Sequence, residues 1–193
     1  MHRKTLICAL SLFTTALAFA PLGSAAPGPK GKDKGVDTIK VQLKGLEEAP
    51  VVISGASGQL VLEIDEAAGT IVYDLTWDDL EGPVTQAHIH IGQKDVVGGI
   101  ALWLCKTTNF KPTIAAVDDL TPLCPGPATP GGPNSGNISG TLTAANMVGP
   151  AGQAVPANAA GFADVLTAIK KGKAYGNVHS TSAPGGEVRG QLH

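Results

Sequence analysis

The sequence predicts an all-β fold, a Greek-key sandwich or barrel of about eight short antiparallel strands. Apolar and polar residues alternate with a period of two in several segments, as in strands with one buried face. Glycine and proline make up 39 of the 193 residues and aromatic residues only 4%, which is typical of many turns. The predicted strands are the alternating runs 39–43, 60–64 and 71–77, followed by 84–91, 99–105, 137–142, 174–180 and 187–192.

One segment departs from this period and predicts a short amphipathic helix near 160–171. Its apolar residues recur at the spacing i, i+3, i+4, i+7, which places them on one helical face. Gly172 follows two lysines and is expected to end the helix. A second, weaker helical turn is expected to begin at Thr143. The apolar residues of the helix are Phe162, Val165, Leu166 and Ile169.

The N-terminal residues predict an exported protein. Residues 1–26 combine a short basic start, an apolar run and a small-residue stretch, the pattern of a secretory signal peptide. Residues 27–36 mix glycine, proline and lysine and are expected to form a flexible tether. A single β domain would then span 37–193. We therefore expect a secreted or periplasmic location, and no second apolar run is long enough to predict a membrane anchor.

The charge balance argues against a nucleic-acid partner. Removal of residues 1–26 would leave twelve basic and sixteen acidic residues, a net charge of −4. Nucleic-acid-binding proteins usually present a basic surface to phosphate. An extracellular protein or surface ligand of unknown identity is the partner class that remains.

Two cysteines outside the predicted signal peptide, Cys105 and Cys124, are expected to form a disulfide in an oxidising compartment. The alternative, a pair of thiolate metal ligands, would normally use closer cysteine pairs. The disulfide would hold the first half of a long connection, 106–136, that is rich in proline and glycine. Such a connection is either functional or disordered.

His88 and His90 are the first candidate metal ligands. They occupy positions i and i+2 of a predicted strand, so both imidazoles lie on the face opposite the apolar Ala87 and Ile89. Their Cα atoms are then about 6.6 Å apart, a spacing from which two ring nitrogens can reach one ion. The pair therefore predicts half of a metal site.

His179 is the third candidate ligand. In the run 175–180 it shares its strand face with Tyr175 and Asn177, opposite the inward-pointing Val178. If this strand lies beside the one carrying His88 and His90, three imidazoles converge, a donor set suited to Cu(II) or Zn(II). The alternative is that the histidines hydrogen-bond backbone carbonyls and hold loops in place.

Glu187 and Arg189 share a face of the last predicted strand and could form a polar frame with Tyr175 and Asn177. This frame would orient His179 or bind an anion. The alternative is an ordinary solvated ion pair between Glu187 and Arg189.

No catalytic residues are predicted. The serines lie outside any G-x-S-x-G nucleophile elbow, and no glycine cluster leads from a strand into a helix as a phosphate-binding loop does. The run 137–139 is an N-glycosylation sequon, which matters only in a eukaryotic source.

The chain resembles the CHRD domain, a module that occurs as a repeat in chordin and singly in bacterial secreted proteins. The resemblance spans about 37–193 and is most specific in the last two blocks, YGNVHS at 175–180 and PGGEVRGQL at 184–192. The other blocks that carry it are 43–50, 54–58, 73–75, 80–90 and 138–143.

This resemblance implies an extracellular protein. In chordin it implies binding of bone morphogenetic proteins, but the chain lacks cysteine-rich repeats, so that role does not transfer. The H-x-H of His88 and His90 also resembles a local copper-binding pattern of Cu/Zn superoxide dismutase. Dismutases need more histidines than the four that remain after residue 26, so that activity is not expected.

These observations favour a non-enzymatic binding or structural module that contacts its partner through the 106–136 loop and an outward histidine face. The rival function is that of an extracytoplasmic copper-binding protein with His88, His90 and His179 as ligands. A copper-dependent redox enzyme is the third hypothesis. The sequence establishes no cofactor, and copper is the candidate.

Overall fold

The computed structural model describes residues 35–125, 134–150 and 152–193, and most of them form one antiparallel sheet of eight strands. The sheet curls into a nearly closed barrel, so the predicted all-β class is confirmed. The strands are β1 (Val36–Lys44), β2 (Ser57–Asp65), β3 (Thr70–Asp78), β4 (Val84–Ile91), β5 (Gly99–Cys105), β6 (Gly136–Leu142), β7 (Ala174–Ser180) and β8 (Val188–Leu192).

The strand order is β5-β4-β7-β8-β1-β2-β3-β6. Strands β1 to β3 follow one another as a meander, whereas the connections from β3 to β4 and from β5 to β6 join strands that are not neighbours in the sheet. Such long-range connections are typical of Greek-key folds. The order also makes β7 the direct neighbour of β4, although about ninety residues separate them in sequence.

The barrel core follows the period-two pattern in β1, β2 and β3. Leu43, Leu60 and Leu75 are fully buried on the inward face, and the intervening side chains are more exposed. Cross-strand pairs such as Leu60 with Leu75 bring these inward residues together. Burial of this apolar surface is the main source of stability, at about 25 cal/mol for each square ångström removed from water.

The predicted helix is present as α2 (Ala159–Lys170). Its N-terminus is capped by the Asn158 side chain, which accepts hydrogen bonds from the backbone N–H groups of Ala160 and Gly161. Gly172 lies just beyond its end with a φ of +65°, a conformation that glycine adopts without strain. All four predicted apolar residues are buried. The weaker turn is a 3₁₀ helix at Ala144–Asn146, capped by Thr143.

Strands β4 and β7 differ from β1, β2 and β3 because they are buried on both faces. Every residue of β7 is buried, and so are His88 and His90 of β4. One face meets the barrel core. The opposite face is covered by neighbouring side chains and by two loops, and this second buried layer contains the histidines.

Cys105 and Cys124 form a disulfide. The connection that it closes contains a helix that the sequence did not predict, α1 (Ala115–Leu120). Lys106 and Lys111 both form ion pairs with Asp118 of this helix. The Lys106 ion pair therefore bonds helix α1 of this connection to the end of β5. Residues 126–133 of the connection lie outside the described residues, as do the predicted signal peptide 1–26 and most of the predicted tether 27–36.

The disulfide is expected to contribute about 3 kcal/mol to the free energy of unfolding, because it closes a loop across a sequence separation of 19 residues and so lowers the conformational entropy of the unfolded chain. A Cys105→Ala, Cys124→Ala double variant should lose this amount in urea unfolding followed by far-UV circular dichroism. An unchanged midpoint would show that the bond does not constrain the unfolded chain.

Candidate metal centre

The antiparallel pairing of β4 with β7 brings the three predicted histidines together. His88 lies opposite Asn177 and His90 opposite Tyr175, while His179 lies opposite Gln86. Residues two apart on a strand share a face, so all three imidazoles project from the same side of the sheet. The strand that carries His179 therefore lies beside the strand that carries His88 and His90, which the sequence alone could not establish.

The three imidazoles form a compact group of possible metal ligands. Their ligand atoms all lie within 4.8 Å of one another, and this is the one such group among residues 35–125, 134–150 and 152–193. His88 Nδ1 and His179 Nε2 are 3.2 Å apart. Two nitrogens bound to one tetrahedral ion are about 3.3 Å apart, so side-chain movements of no more than about 1.5 Å would close the group around an ion.

Backbone carbonyls orient two of the rings. His90 Nδ1 donates to the Gly98 carbonyl at 3.0 Å, and His179 Nδ1 donates to the Pro184 carbonyl at 2.9 Å. These bonds leave the lone pair of each ring on Nε2, the arrangement usual for histidine ligands held by an outer hydrogen bond. The prediction that the histidines bond carbonyls and the prediction that they bind metal are thus compatible.

His88 faces His179 at the centre of the group. Because His179 Nε2 carries a lone pair, a neutral His88 donates its Nδ1 proton across the 3.2 Å gap. That gap accommodates either a proton or a metal ion. The Nε2 atoms of His88 and His90 are buried and have no hydrogen-bond partner.

The expectation of an outward, solvent-facing histidine face is wrong. His88 is fully buried, and His90 and His179 are each 6% exposed. The prediction assumed that the face opposite the core meets water. Here the loop at 92–98 and the turn at 181–186 cover it, and a partner protein would not touch these imidazoles directly.

Burial keeps the three imidazoles neutral. It lowers the pKa of His88 well below its ordinary value, with the two neighbouring imidazoles adding to the effect, and it lowers the pKa of His179 as well. Burial also lowers the pKa of His90 to about 4, although the Gly98 carbonyl and the nearby Asn177 side chain act in the opposite direction. The neutral form is the one that binds metal ions.

Aromatic rings form the walls of the group. Trp103, which lies opposite His88 on β5, meets the His88 ring edge to face with centroids 4.2 Å apart. Tyr175 stacks on His90 at 4.6 Å with an interplanar angle of 3°. Such contacts restrict ring rotation and hold the imidazoles in place.

Arg189 supports this wall from the next strand. Its guanidinium lies 3.4 Å above the Tyr175 ring and donates to the carbonyls of Gln93 and Val96. The backbone N–H of Gly98 donates to the Tyr175 hydroxyl. Arg189 therefore holds the same loop whose Gly98 carbonyl orients His90.

Glu187 has a different role in the predicted polar frame. It is fully buried, accepts hydrogen bonds from Ser54 Oγ at 2.7 Å and the Glu81 backbone N–H at 2.8 Å, and also bonds to Ser180 Oγ. The predicted alternative of a solvated pair with Arg189 is wrong, because both side chains are buried and bond to other groups.

Asn177 and Glu48 complete the polar layer. Asn177 Nδ2 lies 3.5 Å from Glu48 Oε1, and Asn177 Oδ1 is buried without a partner. Burial raises the pKa of Glu48 to about 7, against the lowering effects of Arg189 and Asn177.

Four parts of the site were not predicted from the sequence, namely Glu48, Trp103 and the loop carbonyls of Gly98 and Pro184. Trp103 alternates with the inward-facing residues of β5, and this alternation could have predicted that it lies on the histidine face. Glu48 follows a 3₁₀ helix at Gly45–Glu47, outside any strand, and no periodicity marks it.

Among the described residues, no helix combines the length and the apolar character needed to cross a membrane.

Searches of curated proteins and of solved structures returned no match. The weaker resemblance to Cu/Zn superoxide dismutase is not borne out.

A family profile does match most of the chain. The profile of the CHRD domain covers residues 39–192, from the first strand to the last, and includes all three histidines. A match over this length shows that the protein belongs to the CHRD-domain family.

Proposed function

We propose that the protein is an exported metal-binding protein that holds one Cu(II) or Zn(II) ion with His88, His90 and His179. The observation that carries this proposal is the buried three-imidazole group, in which His88 Nδ1 faces His179 Nε2 at 3.2 Å and His90 Nε2 has no hydrogen-bond partner. A buried polar atom without a partner costs about 1–3 kcal/mol. Metal coordination would offset this cost for imidazoles that share one small space.

The donor set supports copper and zinc. Imidazole nitrogen is a common ligand of both ions, and a site of given geometry generally binds Cu(II) more tightly than Zn(II). No thiolate contributes, since Cys105 and Cys124 are joined to each other. We therefore expect tighter binding of Cu(II).

The predicted non-enzymatic binding role is retained in this narrower form, with a metal ion as the ligand. The burial of all three imidazoles supports binding over turnover, because a substrate would have no open face to approach. Export is supported by the sequence of residues 1–26 and by the disulfide, which persists in oxidising compartments. A protein partner and its surface stay a prediction.

Copper titration of the protein lacking residues 1–26, followed by EPR, should give one Cu(II) per chain with hyperfine splitting from three nitrogens. His88→Ala, His90→Ala and His179→Ala should each lower Cu(II) affinity by more than the roughly 10–100-fold that loss of an outer-shell partner causes. The matched control is His193→Ala, because His193 is exposed and outside the group.

Circular dichroism of each variant separates a lost ligand from a lost fold. Wild-type protein without stoichiometric, nitrogen-coordinated copper would contradict the proposal. The same conclusion would follow if folded His88→Ala bound copper as tightly as the His193→Ala control.

Fluorescence gives a second, independent prediction about position. The chain has two tryptophans, and Trp103 touches the His88 ring. Cu(II) is paramagnetic and redox-active and quenches a tryptophan at such short range, whereas Zn(II) lacks unpaired electrons. Cu(II) should therefore quench the Trp103 part of the tryptophan emission, and Zn(II) should not. Trp103→Phe should remove the quenched component, and quenching that persisted unchanged in this variant would place the copper elsewhere.

A further inference from the structure

Three imidazoles leave one position of a tetrahedral metal site to be filled. In catalytic sites that position is open to water, whereas in structural sites a fourth protein ligand closes it. The proposed ion can exchange small ligands only if this fourth position is open to water. The following inference rests on the proposed function.

Asn177 lies at the centre of the histidine face. It is directly opposite His88 in the β4–β7 pairing and two residues from His179 on the same strand face. Its side chain is 3% exposed and is close to His90. It is thus beside all three imidazoles on one face of the sheet.

The orientation of the Asn177 amide is fixed by Glu48. Asn177 Nδ2 donates to Glu48 Oε1 at 3.5 Å, so this edge of the amide is turned towards the carboxyl group. Asn177 Oδ1 must therefore point away from the carboxylate. That oxygen is buried and has no hydrogen-bond partner.

Gly186 makes room for the contact between Glu48 and Asn177. Its φ of +123° is disfavoured for other residues, and a Cβ atom there would lie 2.4 Å from Glu48 Oε1 and 2.9 Å from Asn177 Nδ2. A residue with a side chain at this position would therefore force Glu48 and Asn177 apart.

We infer that Asn177 Oδ1 is the fourth ligand of the metal bound by His88, His90 and His179, so that the site is closed to water. Oδ1 of Asn177 and Nε2 of His90 are buried acceptors without hydrogen-bond partners in this layer. Two acceptors do not satisfy one another, but a cation between them would satisfy both. An amide oxygen also favours Cu(II) and Zn(II) over the softer Cu(I).

The test uses the Cu(II)-loaded protein lacking residues 1–26, with azide and ¹⁷O-labelled water as probes. The wild type should show no azide-to-copper charge-transfer band and no ¹⁷O coupling in pulsed EPR. Asn177→Ala should acquire both signals and lose about 10–100-fold in Cu(II) affinity, while the three-nitrogen hyperfine pattern persists. Asn177→Asp keeps an oxygen donor and should remain closed to azide.

Gln191→Ala is the matched control. Gln191 also has a buried amide oxygen without a partner, but its Nε2 donates to the carbonyls of Gly92, Gly172 and Ala174, away from the imidazoles. The Gln191→Ala variant should bind copper and, like the wild type, show no azide-to-copper charge-transfer band.

A wild-type protein that binds copper through three nitrogens and also shows azide binding or ¹⁷O coupling would overturn this inference and leave the proposed function intact. A wild-type protein that binds no copper would overturn both. If Asn177→Ala does not fold, the azide and ¹⁷O measurements on the wild type still decide, because they report directly on the fourth position.

Discussion

The pairing of β4 with β7 is the interaction on which the rest of the histidine layer depends. Backbone hydrogen bonds between the two strands align Ala87 with Val178 in the core and His88 with Asn177 on the other side. Because successive side chains alternate, a slip of one residue would turn one strand's imidazoles into the barrel and its apolar residues out of it. The apolar core thus fixes the register, and the register assembles the histidine group.

The polar face of these strands is buried as deeply as the apolar face. Backbone groups supply most of the hydrogen bonds that its buried side chains need. The carbonyls of Gly98 and Pro184 accept from His90 and His179. Both belong to loops that lie directly on the sheet. Gly98 permits this close approach, since a Cβ there would come 1.7 Å from the Ile91 carbonyl oxygen. Arg189 then holds the 92–98 loop through two further carbonyls.

The charged side chains of this layer bond to groups other than the imidazoles. The imidazoles are neutral because burial disfavours their protonated forms, and the nearest fixed positive charge, Arg189, is directed to the Tyr175 ring and to carbonyls. Glu187 is surrounded by hydroxyl and N–H donors. The group therefore presents the lone pairs of neutral imidazoles, which are the form that binds a metal ion.

The sequence by itself determined the eight strands, the longer helix and the faces of these elements, but it did not predict the short helix Ala115–Leu120. Strands 84–91, 99–105 and 174–180 have the predicted bounds, and the helix is displaced by one residue, because period and turn chemistry are local properties. It also determined which face carries His88, His90 and His179. The tertiary structure alone decided that β7 lies beside β4, that two loops cover the histidines, and that Glu48 orients Asn177. Each of these contacts joins residues far apart in the chain, for example 91 positions between His88 and His179 and 129 between Glu48 and Asn177. No local pattern encodes such a contact, because it depends on how the whole barrel closes.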